Sequence, residues 1–255
     1  MVRAALIGIN YTGSPYELAG CINDVIDVQA LIQKTYPSCK DYRIITDNTA
    51  VKPTRANILA AIDWLVIGLK PGQHVYFHFS GHGGLVRDTN GDEVSGMDSC
   101  LYPYSAPRME TITDDELRSA LAARIPAGCK AFVVLDCCHS GTAVDLRYLW
   151  QAPMANALTY SESQKYAALP GTVVFLSGCQ DAQTAADTAD SKGRPCGAMT
   201  MALRQTWQTY GAAIKMKHLL WDVRKFLRDR GYTQVPQLST GSKMDPNQVM
   251  DLSVA

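Results

Sequence analysis

Short apolar runs alternate with stretches of helical spacing along most of this chain, and that alternation constrains the fold more than any other feature. Ala4–Ile9, Arg43–Thr46, His74–Phe79, Ala131–Leu135 and Thr172–Leu176 read as strands, with a shorter one at Leu101-Tyr102. Most are continuously apolar, as expected of strands buried on both faces. From Tyr16 to Tyr36, Leu18, Ile22, Val25, Val28, Leu31 and Ile32 keep a helical period that stops before Pro37. Thr54 opens a second helix bearing Ile58, Ile62, Leu65 and Leu69 and ended by Pro71-Gly72. Thr113 opens a third, through Ala123, with Glu116 in capping-box spacing. Cys196–Tyr210 and Lys215–Arg230 are amphipathic, whereas Tyr148–Leu169 reads as irregular and supplies the linker candidate, about 148–170. Strands alternating with helices predict an α/β domain: a mostly parallel central sheet with helices on both faces. In such sheets ligands bind beyond the carboxyl ends of the strands.

Composition removes several classes. Lys plus Arg is 24 and Asp plus Glu is 24, so no net charge draws the chain to nucleic acid or an anionic membrane. No apolar run approaches the roughly 18–20 residues of a membrane helix. Met1 to Asn10 lacks the order of a signal peptide. The eight cysteines form no C-x-x-C pair, which argues against a zinc ribbon or disulfide scaffold and for a reducing, cytoplasmic setting. Gly8-Ile-Asn-Tyr-Thr-Gly13 follows a strand but lacks both the third glycine of a dinucleotide fingerprint and the Lys-Ser/Thr of a P-loop. Acidic residues gather at Asp88, Asp92, Glu93 and Asp98, then at Glu110, Asp114, Asp115 and Glu116. They are either two solvated loops or a cation site.

Two strand ends can do chemistry. His-Val-Tyr-Phe-His-Phe-Ser-Gly-His-Gly-Gly spans 74–84, and Ala-Phe-Val-Val-Leu-Asp-Cys-Cys-His-Ser-Gly-Thr spans 131–142. Each runs from an apolar strand into small residues around a reactive side chain. Gly81, Gly83, Gly84 and Gly141 leave room for a substrate backbone and permit positive φ. A sheet of this kind brings both ends to one edge, so His82 could meet a cysteine of the second string. A thiolate is a nucleophile, and a nearby imidazole can take the thiol proton and later protonate a leaving amine. Backbone N–H groups near Gly83 and Cys138 are candidates for holding an oxyanion. Alternation puts Asp136 and Cys138 on one side of the strand, about 6–7 Å apart, and Cys137 on the other with Leu135 and Val133. A carboxylate there would raise a thiol pKa rather than activate it, so Asp136 reads as a binder of a substrate cation. His78 reads as structural.

The two strings resemble those of type I metacaspases, caspase-like cysteine peptidases. Ser-Gly-His-Gly-Gly resembles the family's histidine motif, and Asp-Cys-Cys-His-Ser-Gly its D-x-C-H-S-G motif, which settles the nucleophile on Cys138. Further likenesses run through most of the chain: Gly-Ile-Asn-Tyr at 8–11, Gly-Cys-Ile-Asn-Asp-Val at 20–25, Asn-Gly-Asp-Glu-Val-Ser-Gly-Met-Asp at 90–98, Thr-Asp-Asp-Glu-Leu at 113–117, Asp-Leu-Arg-Tyr at 145–148 and Ser-Gly-Cys-Gln-Asp-Ala-Gln-Thr-Ala-Ala-Asp at 177–187. The resemblance implies the caspase–haemoglobinase fold in one peptidase domain over 1–255, with a large-subunit-like part to about 147 and a small-subunit-like part from about 171. It implies cleavage after Arg or Lys, with a pocket lined by Cys21, Asp24, Ser80 and Asp136. For Cys21 and Asp24 the plain alternative is helix-start packing and a favourable helix dipole. It implies calcium held by Asp98, Asp114, Asp115 and Asp145, a set of hard oxygen ligands. Residues 88–99 fail as an EF-hand, because Gly91 is at the fourth position and Ser99 at the twelfth. The expectation is therefore a monomeric zymogen that acts on protein substrates and cuts itself, with Arg147, Lys165, Lys192 and Arg194 as exposed candidate sites. An inert caspase-like scaffold and a calcium-independent orthocaspase are the alternatives. Cys137 departs from the serine, and Cys100 from the acidic or apolar residue, that the family often has there.

Overall fold

A computed structural model describes residues 1–89, 91, 96–105, 110–138, 144–154, 157–178 and 187–251. The first half alternates as expected: β1 (Arg3–Gly8), α1 (Cys21–Thr35), β2 (Asp41–Thr46), α2 (Arg55–Val66) and β3 (His74–Ser80). A small antiparallel sheet follows, built from β4 (Gly83–Arg87), β5 (Met97–Leu101) and β6 (Ile112–Thr113), then α3 (Asp114–Ala120) and β7 (Lys130–Asp136). The second half contains β8 (Tyr148–Met154), β9 (Ala157–Glu162), β10 (Thr172–Ser177), β11 (Asp187–Ala189), β12 (Pro195–Gly197), α4 (Ala198–Tyr210), α5 (Met216–Asp229) and β13 (Gln237–Thr240). Thr54 accepts from the Asn57 N–H at the start of α2, and Thr113 with Glu116 forms a capping box on α3, satisfying amides that a helix start leaves bare.

Among the described residues the central sheet has the order β2-β1-β3-β7-β10-β13-β8-β9. The first five strands are parallel and the last three antiparallel. Strand alternation divides the core in two. Leu6, Tyr76, Phe132, Val134 and Val174 face α1, α4 and α5, where they pack with Val25, Val28, Leu203, Trp207 and Leu220. Ile7, Phe77, Val133, Leu135 and Phe175 face α2 and α3, where they meet Ile58, Ile62, Leu117 and Leu121. Fully burying one such side chain contributes roughly 1.5–3 kcal/mol, which makes the centre of the sheet a rigid platform for its strand ends.

Four expectations are corrected. The segment from Tyr148 is no irregular linker: β8 and β9 form a hairpin that extends the sheet beyond β13. The helix expected from Tyr16 begins at Cys21, because the Asn10 carboxamide accepts from the Ile22 N–H and the Asn10 carbonyl from the Leu18 N–H. The helix expected from Cys196 begins at Ala198, since Pro195–Gly197 pairs with Asp187–Ala189. The glycines Gly81, Gly83 and Gly84 are not among the positive-φ residues; close approach rather than left-handed backbone explains them. Asp92, Glu93, Gly141 and the string 179–186 lie outside the described residues. No helix among the described residues is long and apolar enough to cross a membrane.

Candidate active site

The registers of β3 and β7 bring the two reactive strings together. These strands pair in parallel with Ser80 opposite Asp136, so each string leaves the sheet at the same level and at its neighbour's side. His82 and Cys138 are each two residues beyond that pair. Contact between the two ends is direct. A Cβ on Gly83 would lie 2.2 Å from the Cys138 carbonyl oxygen and 3.0 Å from the Cys137 Sγ, a space no side chain can enter. Cys137 is buried with Val133 and Leu135 in the α2/α3 core, whereas Cys138 is half-exposed. Of the two adjacent thiols, Cys138 is thus the one a peptide can reach.

His82 is held by main-chain and tyrosine contacts. Its Nε2 lies 2.7 Å from the Tyr16 carbonyl oxygen. A carbonyl only accepts, so Nε2 carries the proton and the neutral ring keeps Nδ1 as its acceptor. The His82 N–H donates to the Tyr11 hydroxyl at 2.9 Å, and that hydroxyl donates to the Tyr102 carbonyl at 2.6 Å. The Tyr11 ring also packs on the imidazole with centroids 4.7 Å apart. Burial raises the Tyr11 pKa well above its ordinary value, which keeps the bridging hydroxyl protonated. Neither tyrosine role was read from sequence. Tyr11 falls inside the Gly-Ile-Asn-Tyr string, but a main-chain acceptor at Tyr16 carries no side-chain signature.

Below the strand ends, on the α1/α4 side, are two buried carboxylates. Asp24 accepts from the Ser80 hydroxyl at 2.7 Å and from the Gly197 N–H at 2.9 Å. Asp136 accepts from the Thr200 hydroxyl at 2.7 Å and the Thr200 N–H at 2.8 Å. A Cβ on Gly197 would fall 2.2 Å from an Asp136 oxygen and 2.8 Å from an Asp24 oxygen, so both carboxylates flank one point. Burial first, and the neighbouring Asp136 charge second, push the Asp24 pKa well above the usual carboxylate range. Ser80, Asp24 and Asp136 are therefore assembled in one buried cluster, with Cys21 buried one turn before Asp24. Thr200 and Gly197 belong to the same constellation and were not singled out from sequence.

A second acidic group forms where β5 meets α3. Carboxylate oxygens of Asp98, Asp114 and Asp115 lie within 4.8 Å of one another. Asp98 and Asp114 are buried. The pKa of Asp114 is pushed up to about 8, first by burial and then by the charges of Asp145 and Asp98. Asp145 stands beside this trio, its carboxylate accepting from the Tyr166 hydroxyl at 2.6 Å. Crowded, largely buried acidic oxygens with mutual repulsion suit a hard divalent cation. Of the basic residues expected to be exposed, Arg147 is half-buried in an ion pair with Glu162 at 2.7 Å, and Arg194 is half-buried between Asp27 and Asp190. Lys165 and Lys192 are exposed.

A mostly parallel sheet with a histidine and a half-exposed cysteine on neighbouring strand ends defines a caspase-like thiol peptidase scaffold. Solved structures agree on the fold. A Geobacter sulfurreducens protein superposes with a TM-score of 0.68 at 24% identity over all of both chains. Caspase-1 from Spodoptera frugiperda does so with 0.55 at 12% identity, over 94% of this chain and 85% of the other. The family model for the metacaspase, peptidase C14 domain matches residues 2–147. Metacaspase-1 of Schizosaccharomyces pombe is 35% identical over 98% of this chain and 69% of its own length. Metacaspase-1 of Cryptococcus neoformans is 35% identical over 96% and 63%, and Metacaspase-5 of Trypanosoma brucei brucei is 35% identical over 96% and 51%. The chain thus spans about half to seven-tenths of the length of these relatives. It belongs to the metacaspase family of C14 peptidases, a family of cysteine-type endopeptidases.

Proposed function

We propose that this chain is a calcium-activated endopeptidase that cuts after Arg or Lys through a Cys138–His82 dyad and processes itself. The observation that supports this most is the buried Asp24–Asp136 pair, which we take as the recess for a substrate cation, one step below the strand ends that carry the dyad. A guanidinium or ammonium entering it would meet two carboxylates, the charge-assisted geometry that Arg and Lys favour. Its backbone would then lie over Cys138. His82 Nδ1 takes the thiol proton, and the sulfur attacks the carbonyl carbon. The N–H groups of Gly83 and Cys138 receive the oxyanion. His82 returns its proton to the leaving amine. Water then hydrolyses the thioester. Throughout, the Tyr16 carbonyl orients the ring by accepting from Nε2. Asp98, Asp114 and Asp115, with Asp145 beside them, would hold calcium, which supplies charge neutralisation that orders the β5–α3 junction.

Peptides ending in Arg, Lys or Asp before a fluorogenic group, with calcium or EGTA, test this on wild type and Cys138→Ala. Release after Arg and Lys by the wild type, in calcium, is expected. Cleavage after Asp, or activity surviving in Cys138→Ala, would overturn the proposal. Full activity in EGTA would remove its calcium component.

A further inference from the structure

We infer that the cleft beside His82 is a leaving-group subsite that selects an aromatic or large aliphatic residue directly after the scissile bond. This rests on the peptidase reading and extends it to the other side of the cut. The cleft holds about 580 Å³, within the ~300–1,000 Å³ of ordinary ligand pockets. Its walls include His82, Tyr11, Tyr16, Tyr102, Pro103 and Tyr104. Among the described residues that line it, none is a carboxylate, lysine or arginine.

Its position decides its occupant. The Asp24–Asp136 recess lies on the α1/α4 side of the sheet, since Asp24 is on α1 and Thr200 on α4. The cleft lies on the opposite side, where Tyr11, Tyr102 and Tyr104 pack with the α2/α3 core. His82 lines that cleft, and the adjoining Gly83 abuts the Cys138 carbonyl. A peptide whose basic side chain fills the acidic recess crosses Cys138 and continues toward His82. Because His82 must reach the leaving amine, the residue carrying that amine stands at the tyrosine-lined wall. Aromatic faces and prolines reward apolar surface and give a carboxylate no cationic partner, whereas a cation meets only the weaker attraction of the ring faces.

Internally quenched peptides with Arg before the bond and Phe, Leu, Ser, Asp or Lys after it make the test. Roughly tenfold higher kcat/KM is expected for Phe and Leu over Ser and Asp, the scale of apolar-pocket discrimination, with Lys intermediate through the tyrosine faces. Tyr104→Ala should bring the Phe-to-Asp ratio toward one. Thr12→Lys adds a cation at the exposed rim and should raise the relative rate of the Asp peptide, a gain that misfolding cannot mimic. Equal rates across the five peptides, or ratios unmoved by both substitutions, would overturn this inference alone. No cleavage of any Arg peptide would overturn the peptidase reading and this inference with it.

Discussion

His78 makes the acid stability of this domain predictable. It lies in the middle of β3, paired with Leu6 on one side and Val134 on the other, and is fully buried. Its ring stacks near Tyr76, and neither ring nitrogen has a hydrogen-bond partner among the described residues. Burial alone lowers its pKa to about 3. Below the ordinary histidine value of about 6.5 the unfolded chain takes up a proton that the folded chain refuses. Stability from this group is therefore full above pH 6.5 and is lost as pH falls, until the folded pKa is reached. At about 1.36 kcal/mol per unit, the loss between pH 7.5 and 4.5 is on the order of 2–3 kcal/mol, a large part of the ~5–15 kcal/mol that holds a domain folded. His78→Leu removes the titration at similar shape, and at pH 7.5 should gain on the order of 1 kcal/mol by removing unpaired buried nitrogens. Urea unfolding at pH 7.5 and 4.5, followed by tryptophan fluorescence, gives the comparison. Groups shared by both chains, Asp24 among them, cancel in the difference. The wild type should lose on the order of 2–3 kcal/mol more than the variant between those pH values. Equal losses would show that the imidazole is either paired or already charged when folded, and the reasoning would fail.

Other consequences are as direct. Gly83→Ala puts a methyl on the Cys138 carbonyl and should lower kcat on the order of a hundredfold by displacing the nucleophile, with an unchanged circular dichroism spectrum; near-normal kcat would remove the packing argument. Tyr11→Phe leaves the His82 N–H and the Tyr102 carbonyl without their bridge and should cost roughly 1–3 kcal/mol in denaturant unfolding together with a fall in kcat. Asp136→Asn should lower kcat/KM for Arg peptides at least tenfold, about 1.4 kcal/mol, and an equal effect on an uncharged norleucine peptide would refute a role in recognising charge. Calcium should raise the melting temperature of the wild type, EGTA should reverse the rise, and Asp114→Asn should abolish it, readouts that need no turnover.

The parallel half of the sheet was legible because strands buried on both faces must be apolar at every position, and such strings have no other simple reading. The antiparallel half was not. β8 and β9 are largely exposed apart from Trp150, and Gln151, Pro153, Thr159, Ser161 and Glu162 break up any apolar run or strict alternation there. Pro153 sits in β8 only because the register shifts between Gln151 and Met154. β13 is four residues long, too short for any period, and its placement depends on distant partners such as the Trp150 indole donating to Thr240 at 2.9 Å. The site divides along the same line. His82, Cys138, Asp24 and Asp136 carry side chains whose chemistry is visible in a string of letters. Several of the groups that orient them act through the main chain: the Tyr16 carbonyl on His82, and the Gly197 and Thr200 amides on the two carboxylates. What places the Tyr16 carbonyl is the path of residues 10–20, and that path is held from outside. Asp47, just past β2, accepts from the Asn10 N–H at 2.9 Å and the Thr12 N–H at 3.0 Å, and Glu17 accepts from the Gly13 N–H at 2.8 Å. The orientation of the His82 imidazole is thus supported by an aspartate just past another strand, which in sequence is an ordinary turn residue.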